Sequence, residues 1–167
     1  MILEEKELKY FILGNGSNII LATKYYDGVV IKLDNFKNVE YNNKIVKVEA
    51  GYPLIKLTMD TVEKGLSGLE FASGIPGLVG ASTAMNAGAY KEDMSNIVKS
   101  VKVLTPSFEI KNFSNEDMNY SYRDSFIKQN KGYIVLETTI ELKEGNKEKM
   151  LESIKEKRLK RQKTLVM

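Results

Sequence analysis

The sequence predicts an α+β protein built on mixed and antiparallel sheets. Short apolar runs of strand type crowd its first third: YFIL at 10–13, VVIKL at 29–33, and VEY and IVKV on either side of Asn42-Asn43, each bounded by Gly or Asn. The stretch from Tyr133 to Lys143 alternates, with Ile134, Leu136, Thr138, Ile140 and Leu142 facing one way and Glu137, Thr139, Glu141 and Lys143 the other. That is the period of a strand with one face buried. Helical spacing follows Pro53 and Asn146, so helices are interspersed among the strands.

In chain order, residues 1–9 read as the end of a helix, with Leu3 and Leu8 among charges and no start signal before them. The chain is therefore expected to open in mid-element. Tyr10 to Leu13 is a strand ended by Gly14-Asn15-Gly16-Ser17-Asn18, Ile19 to Leu21 resumes as a strand, and Val29 to Leu33 follows the turn residues Asp27-Gly28. Asn42-Asn43 predicts a hairpin. Pro53 opens a helix with Leu54, Ile55, Met59 and Val62 on its apolar face, and Gly65 is the expected C′ residue. Val101 to Leu104 is a strand and Pro106-Ser107 a turn, and Ser114 to Asp117 has the capping-box pattern that starts a short helix toward Tyr120. Asn146 can cap a final helix with Met150, Leu151 and Ile154 on its apolar side. That helix ends in KEKRLKRQK, read as a solvated face, with nucleic-acid or lipid contact as the alternative. The sequence then stops at Thr164-Leu165-Val166-Met167 without a stop signal.

At 167 residues the chain is one domain or two small lobes, long enough to bury a core. Absent residue types limit its chemistry. With no Cys there is no disulfide partner, iron–sulfur cluster or thiolate nucleophile; with no His, a Ser-His-Asp triad and most zinc sites are excluded, and no metal is expected. Reactions here must rest on Ser, Tyr, Lys, Arg, carboxylates or an organic cofactor. A net charge of +3 does not by itself suggest nucleic acid. No apolar run approaches membrane-spanning length, and Met1 to Lys9 lacks the apolar core of a signal peptide, so a cytoplasmic location is expected.

The chain is organised around Ser67 to Tyr90, which holds Gly68, Gly74, Gly77, Gly80 and Gly88 and a single charge, Glu70. Small residues let a backbone approach a ligand closely, and successive N–H groups can form a nest for an anion. The alternative is a tight turn feeding a closely packed, Ala-rich helix. The earlier loop, GNGSN, follows a strand but lacks the third Gly of a dinucleotide fingerprint, since position 19 is Ile19, and no Gly-Lys-Ser/Thr of a P-loop occurs anywhere. It offers two permissive glycines, a hydroxyl and two amides, suited to a pyrophosphate; an ordinary hairpin turn is the competing reading.

Taken together, GNGSN after a strand, GLSGLEFASGIPGLVG at 65–80, MNAGAY at 85–90 and YSYRDSF at 120–126 resemble, in order, the bacterial UDP-N-acetylenolpyruvoylglucosamine reductases (UDP-N-acetylmuramate dehydrogenases) of peptidoglycan synthesis. The resemblance runs from about Tyr10 to the end. It implies the PCMH-type (vanillyl-alcohol-oxidase) FAD-binding fold of two α+β lobes, the first incomplete: residues 1–50 in the first lobe, 51–145 in the second, and 146–167 a helix leading toward a substrate-binding domain. It implies FAD, with Gly14, Asn15, Gly16, Ser17, Asn18, Ser73, Gly74, Ile75, Pro76, Gly77, Gly80, Asn86, Ala87 and Gly88 around it, and noncovalent because His and Cys are missing. NADPH as hydride donor and a UDP-sugar substrate are implied, and neither nucleic acid nor a membrane is a partner.

By the same resemblance Arg123 matches the catalytic arginine, whose planar cation can hold a substrate carboxylate and stabilise enolate-like charge. Without the motif, the residue reads rather as a surface or structural arginine paired with Asp124 or Glu116. Two positions depart from the pattern: Ala81 stands where a second Gly usually follows GIPGxVG, and Lys91-Glu92-Asp93 where Gly-Gly-Glu often follows MNAGAY. No inserted loop separates Arg123 from Gly132, as in the shorter, second class. The family's proton-donating serine and catalytic glutamate are expected beyond Met167, so the chain is expected to be inactive alone, and Ser121 and Ser125 do not match the donor. A noncatalytic flavin- or nucleotide-binding module is the alternative, and a small basic nucleic-acid binder a more distant one.

Overall fold

A computed structural model describes residues 8–20, 22 and 24–165. The expected helix end at 1–9 falls outside the described residues apart from Leu8 and Lys9, which are coil. Strand β1 (Tyr10–Leu13) pairs in parallel with β2 (Val29–Lys32), Tyr10 opposite Val29 and Leu13 opposite Lys32. Parallel neighbours cannot be joined by a tight hairpin, so the connection from β1 to β2 is a crossover. GNGSN is therefore not a hairpin turn. No strand resumes at Ile19: its N–H closes back on the Gly16 carbonyl at 3.3 Å, Ile20 is 94% exposed coil, and Leu21 lies outside the described residues.

The main sheet is antiparallel and five-stranded, in the order β3-β4-β10-β8-β9. Its members are β3 (Val39–Asn42), β4 (Ile45–Glu49), β8 (Val98–Leu104), β9 (Ile110–Ser114) and β10 (Ile134–Glu141). The expected hairpin joins β3 to β4, with Asn43 in the left-handed region at φ 52°. Because β4 hydrogen-bonds to β10, the sheet takes strands from both sides of residue 50, across the boundary expected between the lobes. Strand β10 does not keep one alternation throughout. A register shift between Val135 and Glu137 makes Val135, Thr138 and Ile140 the buried positions, while Ile134 and Leu136 are only half-buried.

Helix α1 (Leu54–Glu63) starts after Pro53 and ends at Lys64, with Gly65 beyond it at φ +69°. Its buried face is Leu54, Leu57, Thr58, Thr61 and Val62 rather than the expected set. Ile55 is half-buried, and Met59 packs with Val62 against Met150 and Ile154. After the two-residue strand β5 (Leu66–Ser67) and a 3-10 turn, Glu70–Gly74, comes helix α2 (Val79–Ala84). Strands β6 (Gly88–Ala89) and β7 (Glu92–Asp93) form a small hairpin. The capping-box bonds at Ser114 form, 2.8 Å to the Asp117 carboxylate and 3.1 Å back to the Ser114 hydroxyl, but residues 115–119 make only turns. No helix propagates there because the box satisfies one turn and the Met118 carbonyl is taken by the Phe126 N–H, which starts α3 (Phe126–Gln129). Strand β11 (Lys143–Glu144) pairs with β5, and helix α4 (Lys147–Leu165) follows, its Lys149 N–H capped by Asn146 at 3.0 Å.

The core lies between the sheet and α1, α2 and the 3-10 turn, with Val46, Val48, Leu54, Leu57, Phe71, Val79, Val101, Val103 and Ile140 among its fully buried members. Threonine hydroxyls of α2 and β10 meet inside it, Thr83 to Thr138 at 2.8 Å.

Candidate functional site

The segment 77–80 is zipped backbone to backbone onto residues 50–54. Leu54 N–H donates to the Gly77 carbonyl at 3.0 Å, Val79 N–H to Tyr52 at 2.9 Å, and Gly80 N–H to Ala50 at 2.9 Å. This approach requires glycine at 80, where a Cβ would sit 2.6 Å from the Ala50 Cβ. The zip holds the loop Ile75–Gly77 opposite the loop that follows β1. A hydroxyl joins the two, Ser17 Oγ donating to the Pro76 carbonyl at 2.7 Å.

Between the loops runs a cavity of about 440 Å³ lined by Gly14 to Asn18, Gly77, Gly80 and Ala81, with apolar walls from Phe11, Leu13, Leu78, Met85 and Tyr133. A neighbouring cavity of about 290 Å³ shares Ser17, Asn18, Gly77, Ala81 and Met85 with it and continues past Ile75, Pro76, Ser82, Ala87 and Gly88 to Arg123 and Arg161. The shared residues make the two one groove, small-residue and apolar at one end and cationic at the other. Concave, mostly apolar sites with a few convergent polar groups are where ligands bind.

Arg123 occupies a four-residue turn in which Ser121 and Asp124 exchange two 3.2 Å backbone bonds. Its φ of 56° is a left-handed conformation that a side-chain-bearing residue adopts at a cost of about 1–3 kcal/mol, and such strain concentrates at working sites. The guanidinium donates to the Asn86 carbonyl at 3.2 Å and to the Gly88 carbonyl, and its carbon lies 5.4 Å from the Tyr122 ring centroid. The structural pairing with Asp124 or Glu116 is not the one made. Asp124 is engaged by the Gln129 amide at 2.6 Å, which leads in holding its carboxyl below the usual range. Tyr120, half-buried just before the same turn, has its phenol pushed up by burial and, secondarily, by the charge of Asp93.

The residues named from the sequence divide into three groups. Gly14 to Asn18, Ile75 to Gly77, Gly80, Ala87, Gly88 and Arg123 all line the groove. Ser73 and Gly74 instead present their carbonyls to Arg158 and Arg161 of α4. Asn86 is 2% exposed and its side chain is consumed by the scaffold: its oxygen accepts from Ser95 N–H at 3.0 Å and its amide donates to Ser121 at 2.9 Å. Ser125 is likewise spent, donating to the Ala84 carbonyl at 2.6 Å. Leu78, Ser82, Met85 and Arg161 were missed. Only the basic run could have pointed to Arg161, and nothing in a charge run says which of its members turns inward.

Residues 2–114 match the family described as FAD binding domain. The chain is 44% identical over 151 residues to a UDP-N-acetylenolpyruvoylglucosamine reductase of Lactobacillus acidophilus, covering 90% of this chain and 50% of that protein. It is 44% identical over 146 residues to one of Clostridioides difficile, covering 87% and 48%. The chain thus spans about half the length of the curated relatives it matches. Among solved structures, the UDP-N-acetylenolpyruvylglucosamine reductase of Thermus caldophilus superposes with a TM-score of 0.81 at 31% identity, over 96% of this chain and 59% of that one.

Proposed function

Because the chain belongs to the FAD binding domain family, we propose that it is the flavin-holding part of a reductase acting on UDP-N-acetylglucosamine enolpyruvate. The observation that carries the proposal is the single groove in which both glycine loops and Arg123 meet. In this reading the lobe boundary falls between β2 and β3, where the two-stranded parallel sheet gives way to the five-stranded one.

The residues fit FAD. A dinucleotide needs a cradle of small residues where its diphosphate passes, and Gly14, Gly16 and Gly77, with only the methyl of Ala81 beside them, supply one across which Ser17 bonds to Pro76. The planar ring system needs apolar walls, and Leu78, Met85 and Tyr133 provide them. The chain has no His or Cys to form a covalent link, so the flavin is held noncovalently. When bound, FAD supplies hydride transfer from NADPH to the enolpyruvyl group.

The protein's own part is positioning and charge. Arg123 is held by two backbone carbonyls, one on each terminal nitrogen, which fixes the plane of the fork and leaves its other N–H groups for a substrate carboxylate. A donor fixed in advance stabilises charge that develops during reduction more than charge already present. The UDP-sugar and NADPH are the partners, and the cytoplasm the compartment where both occur. Among the described residues no helix is long and apolar enough to cross a membrane.

Titration of the purified chain with FAD tests this reading. Quenching of flavin fluorescence should saturate at one equivalent, and acid denaturation followed by filtration should release all the yellow colour. Absence of saturable binding, or colour that stays with the denatured protein, overturns it.

A further inference from the structure

The basic run at the end of α4 docks on the glycine-rich segment. Arg158 donates to the Ser73 carbonyl at 3.3 Å and Arg161 to the Gly74 carbonyl. One turn earlier, the Tyr90 hydroxyl donates to the Lys157 carbonyl and Lys157 pairs with Glu92 at 3.2 Å. Four contacts therefore fix this part of the helix over the groove. Gly74 suits the contact, since a Cβ there would lie 3.2 Å from Arg161 Nη1.

The charge of the groove is one-sided. Arg123 and Arg161 line its 290 Å³ end, and among the described residues no carboxylate lines it with them. Arg161 uses one N–H of its fork on Gly74, and the fork has five. Ser17, Asn18, Pro76 and Gly77, the loop residues suited to a diphosphate, line the same space. A planar cation beside bare backbone loops matches a diphosphate, which takes charge-assisted bonds from such a fork.

We propose that Arg161 is a diphosphate-contacting residue of the flavin groove, delivered to it by α4. The inference rests on the flavin reading and assigns it a cation from the far end of the chain. The diphosphate belongs either to FAD or to the nucleotide of the UDP-sugar, and binding measurements separate the two.

The wild-type chain, Arg161→Gln, Arg161→Lys and, as a control on the same helix, Lys155→Gln are titrated with FAD, riboflavin, UDP and inorganic pyrophosphate. Losing one charge-assisted contact weakens binding about 10–100-fold. The expected result is that loss for FAD and pyrophosphate in Arg161→Gln, partial recovery in Arg161→Lys, and no change for riboflavin or in Lys155→Gln. Loss for UDP and pyrophosphate with FAD unchanged assigns the contact to the nucleotide sugar. Gly74→Ala, which crowds the guanidinium without removing it, should reproduce the pattern of Arg161→Gln in weaker form. If Arg161→Gln binds FAD, UDP and pyrophosphate like wild type, or loses riboflavin as much as FAD, the proposal is overturned. A wild-type chain that binds pyrophosphate but not FAD defeats the flavin reading alone, and the Arg161 comparison still decides this one.

Discussion

Gly80→Ala tests whether the site is built by backbone contact. A Cβ at residue 80 would lie 2.6 Å from the Ala50 Cβ, 3.1 Å from its Cα and 3.3 Å from its carbonyl oxygen. Carbon atoms are comfortable at about 3.5–4.0 Å, so α2 must retreat from Ala50 by about 1 Å. The Gly80 N–H···O bond to Ala50, now 2.9 Å, then stretches beyond hydrogen-bond range. Overpacking costs about 1–3 kcal/mol and the broken bond about 1 kcal/mol, while alanine's better helix propensity returns at most about 1 kcal/mol. Sterics win, with a net loss of about 1–3 kcal/mol. In urea, with a slope of about 2 kcal/mol/M, the midpoint should fall by about 0.5–1.5 M. Ala50→Gly in the same chain removes the worst of the three contacts and should recover part of the loss, a coupling visible in a double-mutant cycle. A Gly80→Ala midpoint equal to or above wild type would refute the reasoning, as would a double mutant whose losses simply add.

The remaining tests separate binding, chemistry and pH. Gly14→Ala places a methyl 3.5 Å from the Ala81 Cβ, an ordinary contact, so stability should stay within about 0.5 kcal/mol while FAD affinity, measured by fluorescence, drops because the methyl enters the groove. Arg123→Ala, in a protein long enough to turn over, should lower kcat by about 10²–10³ with much less effect on flavin affinity, and Arg123→Lys should recover only part; near-normal turnover sinks that role. Tyr41 has its phenol pushed up to about 12, chiefly by burial, and among the described residues its hydroxyl has no hydrogen-bond partner. The unfolded chain releases this proton near pH 10 and the folded one near 12, so stability present below pH 10 should fall as pH rises through that window. Tyr41→Phe should flatten the fall in an alkaline denaturation series, and an unchanged slope would show that Tyr41 does not cause it.

The sequence by itself determined what depends on neighbours along the chain. The Asn42-Asn43 hairpin, the helix between Pro53 and Gly65, the capped start of α4 and the small-residue character of both glycine loops follow from backbone preference and short-range periodicity, as do the exclusions set by the missing Cys and His. The ordered motifs likewise identified the family. Tertiary structure decided what depends on partners distant in sequence. Nothing local to Ile19 said that β1 would pair in parallel with β2 and leave its chain as coil. Nothing local to Leu136 said that a bulge would turn Val135 inward. The box at Ser114 is correct chemistry, yet a single turn cannot propagate when a carbonyl it needs is taken by Phe126. Helix α4 shows the difference most directly. Its charges read as a solvated face because charge has no direction in a sequence, and only the carbonyls of Ser73 and Gly74, 85 and 87 residues away, turn Arg158 and Arg161 toward the protein.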